Sequence, residues 1–445
     1  MIRAVLPSPA RLRGALAGVV LVLAAVGLAT PAAATRIQKV TSPGGIEAWL
    51  VEEHAVPLIA FQFSFLGGST QDPAGKEGVA NLTSTLLDEG AGDMDSQAFQ
   101  TRLEELAVEM SFHDDRDRFN GEMKTLSENR DAAVDLLALA LAKPRFDGEA
   151  VERMRVQAIA GLRRAEKNPD AVAARLWAKT VFGDHPYGRP ADGTEATVAT
   201  ITPADVRDFH GRVFARKGLK IAVVGDIDAA SLAPILDRLF GALPAEGRLT
   251  AVAETTAASG ASGRADLPVP QAAVRFGGPG PKRADPDFIA TYVMNHILGG
   301  GGFSSRLYTT VREKRGLAYS IGTGLAPQAH AGQFIGSVGT SADKVEETIG
   351  LVRAEIAAMA ETGPTAEELA AAKAFLIGSY PLRFDTSDKI AGSLLAIQID
   401  DLGIDYIDRR NGLIEAVGLD DVKRVAKRLL EGAPSVVVVG PAAKP

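Results

Sequence analysis

One order of secondary-structure signals occurs twice along the chain, and this repeat constrains the fold more than any other feature. Residues 128–164, "ENRDAAVDLLALALAKPRFDGEAVERMRVQAIAGLRR", read as an amphipathic helix, a break holding Pro144 and a second long helix. Residues 342–380, "ADKVEETIGLVRAEIAAMAETGPTAEELAAAKAFLIGSY", give the same order, again with a proline, Pro364, in the break. The two endings agree as well. "TPADVRDFHGRVFARKGLKIAVVGDID" is a capped helix, a turn and a β-rich run, and "GLDDVKRVAKRLLEGAPSVVVVGP" has the same parts. Val134 to Ala222 spans 88 residues and Val345 to Val437 spans 92. Shared order, spacing and punctuation together indicate an internal duplication.

Each half opens on strand-like sequence, "IEAWLVEEHAVPLIAFQFSFLGGS" and "QAAVRFGGPG". Strands first and helices after them predict an α+β layer, a mostly antiparallel sheet with helices packed on one face, rather than a doubly wound parallel sheet. Between the halves, residues 244–271 lack any large aromatic and are rich in Ala, Gly, Ser, Thr and Pro, the composition of a linker. The expected organisation is therefore two homologous domains, 35–243 and 272–445, joined by 244–271 in a clam-like arrangement. At 445 residues the chain exceeds what one ordinary core organises.

Residues 1–34 have the layout of a secretory signal. Arg3, Arg11 and Arg13 precede an apolar run, Ala15 to Ala29, and "PAAAT" supplies the small residues of a cleavage site after Ala34. The alternative is an uncleaved anchor, since a run of ~15 residues is short for a membrane span. Cleavage leaves an exported, soluble, periplasmic-type protein with no further span. Removing those three arginines from 48 basic residues leaves 45 against 55 acidic ones, a net charge of −10. Such a balance disfavours nucleic acid, which needs a basic face. There is no cysteine, so disulfides and thiolate metal sites are excluded.

Two stretches carry a family resemblance covering nearly all of residues 36–440. "FLGGSTQDPAGKEGVANLTSTLLDEGAG" (65–92), a strand, an Asp-Pro loop, a glycine and a helix, resembles the amino-terminal domain of the insulinase/pitrilysin zinc metallopeptidases. "LYTTVREKRGLAYSIGTG" (307–324), preceded by Gly299 to Gly302, resembles that family's second domain. In active members the first helix carries H-x-x-E-H, whose histidines bind zinc and whose glutamate activates water. Here the resemblance places Asn81, Ser84 and Thr85 at those positions. The third ligand, a later glutamate, falls on Ile159 in "ERMRVQAI". All four zinc-motif positions are lost. Independently, the closest two of the six histidines, His185 and His210, are 25 residues apart, so no helical histidine pair exists. No cofactor is expected in this chain.

The resemblance also implies a role for Arg312 and Tyr319. In active members an arginine and a tyrosine at this spacing hydrogen-bond the scissile carbonyl and the oxyanion formed from it. The family includes paired proteins in which one subunit carries zinc and the other the Arg/Tyr pair, and this chain looks like the second kind. The expected function is thus a non-catalytic subunit of a heterodimeric zinc endopeptidase, with zinc in an H-x-x-E-H partner and a peptide as substrate. The rival is a structural or peptide-binding protein retired from proteolysis. In the bland reading Arg312 pairs with a neighbour such as Glu313, and Tyr319 is an ordinary strand residue. His185, in "GDHPYG", is expected to be structural, "HDDRDRF" (113–119) a solvated edge, and "GQFIGSVGT" (332–340) a buried strand.

Overall fold

The computed structural model describes residues 36–442, so the leader expected over 1–34 lies outside the described residues. The first sheet contains β1 (Gln38–Thr41), β2 (Glu47–Glu52), β3 (Leu58–Leu66), β4 (Glu109–Asp114), β5 (Arg118–Leu126) and β6 (Lys220–Gly225). The second contains β7 (Ser262–Asp266), β8 (Gln271–Pro279), β9 (Ala318–Pro327), β10 (Gly332–Ser341) and β11 (Ser435–Gly440). Their orders are β1-β2-β6-β3-β5-β4 and β7-β11-β8-β10-β9. Apart from β1, the sheets match strand for strand. In each, only the pair formed by the two opening positions, β2–β6 and β7–β11, is parallel. The other pairings among matched strands are antiparallel. Duplication thus reaches the level of topology.

One packing detail repeats at matched positions. Phe63 on β3 stands opposite Gly121 on β5, and Phe276 on β8 stands opposite Gly336 on β10. A Cβ built on either glycine would lie 2.3 Å from the facing ring. The ring fills the space that a side chain on the neighbouring strand would otherwise need.

Strand sequences show how many faces are buried. On β3, Phe61, Phe63 and Phe65 enter the first domain's main core, while Ala60 faces the opposite way. On β6, Ile221 and Val223 join that core and Ala222 and Val224 point to the other side. The unbroken run Val436–Val439 of β11 divides in the same way between two faces, Val436 and Val438 on one and Val437 and Val439 on the other. Near-continuous apolar strands are what two covered faces require.

The second covering layer is exchanged between the halves. Each sheet carries its own half's helices on one face, and the opposite face is covered chiefly by one helix from the other half. Helix Ser387–Ile399 sets Ala391, Leu394 and Leu395 against Val51, Ala60, Ala222 and Val224 of the first sheet. Helix Pro169–Phe182 packs Trp177 and Val181 near Val437 of the second, and Ala173 against Ala273 and Val439. Side-chain hydrogen bonds fix both contacts: Trp177 Nε1 donates to Gln333 Oε1 at 3.0 Å, and Gln398 Nε2 donates to the Ile221 carbonyl at 2.9 Å. Within 244–271, residues Ser262–Asp266 form β7, an edge strand that pairs through its backbone and needs no apolar side chains. Among the described residues, no helix is long and apolar enough to cross a membrane.

Candidate functional site

The helix that follows the Asp-Pro loop is short, Val79–Ser84, and its start is tied by that loop. Asp72 Oδ2 accepts from the Gly78 N–H at 2.7 Å and Oδ1 from the Ala80 N–H at 3.0 Å. Burial pushes the Asp72 carboxyl up to about 8, against the pull of those two donors. Asn81 projects toward β4, where its amide donates to Asp114 Oδ1 at 3.4 Å. Burial likewise raises Asp114, to about 7; the Asn81 amide opposes this and the charge of Asp192 adds to it.

These residues do not suit a metal. The Ser84 hydroxyl turns back to the Asn81 carbonyl at 2.7 Å, and that of Thr85 to the Leu82 carbonyl at 2.9 Å. Both therefore serve their own backbone. Ile159, on helix Gly148–Ala165, packs against the first domain's apolar core. Glu152, about two turns away, pairs with Arg155, and Val156 is exposed. Among the described residues, no group of three or more His, Asp or Glu could hold a metal ion.

Arg312 and Tyr319 do come together. Arg312 lies on a π-helical turn, Tyr308–Glu313. Such wide turns are rare and concentrate at functional sites. Tyr319 is the second residue of β9, the edge strand of the second sheet, and is 82% exposed. The Arg312 guanidinium carbon lies 4.8 Å from the Tyr319 ring centre, 4.8 Å from that of Tyr308 and 5.9 Å from that of Phe303. Its Nη1 also donates to the Tyr308 hydroxyl. Among the described residues it forms no ion pair, with Glu313 or any other acid. A guanidinium held on aromatic faces keeps its charge and much of its donor fork free.

Tyr308 and Phe303 were missed in the sequence, although Tyr308 precedes Arg312 by four residues, one turn along a helix face. The glycine run works mainly through close packing. A Cβ on Gly299 would lie 2.5 Å from Thr323 Oγ1, and one on Gly300 would lie 2.6 Å from Asn295 Nδ2. Only Gly302 needs the left-handed region, at φ 57°. Among the remaining candidates, His185 Nδ1 accepts from the Tyr187 N–H at 3.1 Å and its Nε2 faces the Ala253 carbonyl at 2.9 Å, which fixes a loop. Of the run 113–119, His113 is exposed on β4, the edge of the first sheet, but Arg118 and Phe119 on β5 are buried, so only part of it is a solvated edge; β10 lies inside the second sheet.

A twice-built α+β sheet, a first-domain helix without metal ligands and a second-domain arginine–tyrosine pair define a peptidase-like chain with no candidate metal cluster among its described residues. Residues 56–195 match the model of the insulinase family, peptidase family M16, and residues 200–376 match that of the peptidase M16 inactive domain. A peptidase M16 inactive domain from Pseudomonas fluorescens superposes with a TM-score of 0.86 at 30% identity, covering 92% of this chain and 99% of that one. The non-peptidase homolog YmxG of Helicobacter pylori is 28% identical over 75% of this chain and 78% of its own length. An uncharacterized zinc protease of Streptomyces coelicolor is 28% identical over 91% of this chain and 90% of its own length. The chain belongs to the insulinase (M16) family and carries Asn81, Ser84 and Thr85 in place of its H-x-x-E-H residues.

Proposed function

We propose that this protein is the Arg/Tyr-bearing subunit of an exported, heterodimeric zinc endopeptidase, directed out of the cytoplasm by residues 1–34. Its partner is a homologous subunit that keeps H-x-x-E-H and holds the zinc. The peptide is extended near β9, and Arg312 and Tyr319 donate hydrogen bonds to the carbonyl at which the partner acts. Donors fixed in advance at a developing oxyanion lower the barrier without reorganising. The observation that carries this reading is the state of Arg312. It is a guanidinium without a carboxylate partner among the described residues, seated on three aromatic rings beside an exposed tyrosine at a sheet edge. A surface arginine with no task has no need of such a seat.

The experiment is reconstitution with an H-x-x-E-H homologue and measurement of kcat on a peptide. Tyr319→Phe should leave assembly and the partner's zinc content unchanged while turnover falls ~10²–10³-fold, the usual cost of one oxyanion donor. Wild-type turnover from an assembled Tyr319→Phe complex refutes the role. Likeness to a relative named a non-peptidase homolog favours a second reading, a peptide-binding or structural protein retired from proteolysis. In that case Tyr319→Phe is silent in every assay except peptide binding.

A further inference from the structure

Away from Arg312 and Tyr319, the helices of the second domain enclose a cavity of about 230 Å³. Its walls come from helix Phe288–Asn295, the turn Tyr380–Arg383, helix Ser387–Ile399 and helix Tyr406–Glu415. Three arginines line it together with Tyr292, Tyr380 and Tyr406. Arg283 is neutralised there. It pairs with Asp400 at 3.3 Å and donates to the Tyr406 hydroxyl at 2.8 Å. The other two arginines are not. Among the described residues, neither Arg383 nor Arg410 forms an ion pair, although Asp408 lies in the neighbourhood of Tyr380.

Arg410 is the unusual one, because it is only 6% exposed. A buried guanidinium is costly unless its charge and donors are matched. Its Nη1 donates to the Leu376 carbonyl at 3.1 Å and to Asn411 Oδ1 at 3.2 Å, which leaves Nε and Nη2 without a partner among the described residues. The group is stacked 4.0 Å from the Tyr380 ring centre, with Tyr292 at 5.9 Å. Stacking fixes the plane of the fork, and a planar fork matches a carboxylate. The rest of the lining includes the apolar side chains of Ile289, Ile397 and Ile414. Such a cavity combines a few polar groups that set orientation with an apolar body that supplies affinity, but it is smaller than a drug-sized site.

We propose that this cavity binds a carboxylate carried on a small apolar body, best an aromatic one, about the size of one amino-acid residue. Arg410 and Arg383 take the carboxylate and the isoleucine walls take the body. Two sources share this chemistry, a free aromatic acid and the C-terminal residue of a peptide.

Calorimetric titration of the full-length chain tests it, with 3-phenylpropanoate, N-acetylphenylalanine, N-acetylphenylalaninamide and a blocked tetrapeptide ending in phenylalanine with a free carboxylate. The two small acids should saturate one site, and the amide should bind at least about tenfold more weakly, the worth of a charge-assisted hydrogen bond. Arg410→Gln should abolish the preference for acid over amide. Because that residue is buried, two variants at exposed positions keep the test decisive: Arg383→Gln should weaken the acids several-fold and spare the amide, and Ala396→Trp should block all binding by filling the mouth. A tetrapeptide as tight as N-acetylphenylalanine assigns the site to a chain terminus, and a refused tetrapeptide assigns it to free acids. Equal affinity for acid and amide, no saturation at millimolar acid, or indifference to both exposed variants overturns the proposal.

Discussion

The guanidinium of Arg312 lies 4.8 Å from the ring centre of Tyr319, so the two groups proposed to act on one carbonyl already sit within cation–π distance of each other. The ring orients the arginine, and neither group needs a large movement to share an acceptor. Arg312→Ala in the reconstituted pair should therefore cost at least as much turnover as Tyr319→Phe, since charged hydrogen bonds are the stronger kind. Arg312→Lys should recover only part, because an ammonium has neither the planar fork nor the same stacking. Full recovery by lysine, measured as kcat with assembly checked by sizing, would reduce Arg312 to a point charge.

The purified chain alone should retain no stoichiometric zinc after dialysis and hydrolyse no peptide. Asn81, Ser84, Thr85 and Ile159 are committed to a carboxylate, two backbone carbonyls and the core. Elemental analysis is the check. One tightly held zinc per chain with chelator-sensitive proteolysis would contradict it.

The exchanged helices make each half depend on the other. A fragment spanning 36–250 lacks the helix that covers Val51, Ala60, Ala222 and Val224, and a fragment spanning 251–442 lacks the one covering Val437 and Val439. Each exposes an apolar sheet face, which favours association. Expressed singly, the fragments should aggregate or form mixed oligomers. Co-expressed, they should elute as one complex of the size of the whole chain. Monomeric, cooperatively folded single fragments would show that the exchange is not needed for stability.

Matched glycines give a symmetric test of the duplication. Gly336→Ala places a Cβ 2.3 Å from the Phe276 ring, and Gly121→Ala does the same to Phe63. Overpacking of this kind typically costs ~1–3 kcal/mol. Both variants should lower the urea midpoint, and Gly336→Ala combined with Phe276→Leu should recover part of the loss. Unchanged midpoints would mean that the rings move aside freely.

Much of this architecture was legible in the sequence because it rests on local patterns. Helix–Pro break–helix order, the β-rich run Val436–Val439 and the strand-first openings fix the duplicated α+β units. What sequence alone left out is non-local. Nothing in "AVAARLWAKTVF" says that Trp177 meets Gln333 of the other half, because an amphipathic helix announces a buried face and not its partner. In 244–271 the composition of a linker concealed β7, since an edge strand pairing through its backbone needs no apolar side chains. At the site, the Arg312–Tyr319 spacing was visible, but the aromatic seat of Phe303 and Tyr308 was not. It depends on a π-helical turn that no simple periodicity predicts.

Asp114 makes stability depend on pH in a definite direction. Its carboxyl is raised from 3.8 to about 7 by burial, with the charge of Asp192 adding to the rise and the Asn81 amide opposing it. The folded state therefore holds this proton more tightly than the unfolded state does. The stabilisation is fully present below the unfolded value, near pH 4, and is lost as pH rises through about 7. Asp72, raised to about 8, acts in the same sense over an overlapping range. Asp114→Asn cannot ionise, yet its oxygen can still accept from Asn81, so the hydrogen bond survives while the titration disappears. Relative to wild type, the variant should gain roughly 2–4 kcal/mol on going from pH 5 to pH 8, the scale of a shift of about three pKa units. Urea midpoints of both proteins at pH 5, 6.5 and 8 provide the measurement. Parallel pH profiles would show that Asp114 is ionised in the folded protein throughout, with the Asn81 amide outweighing burial.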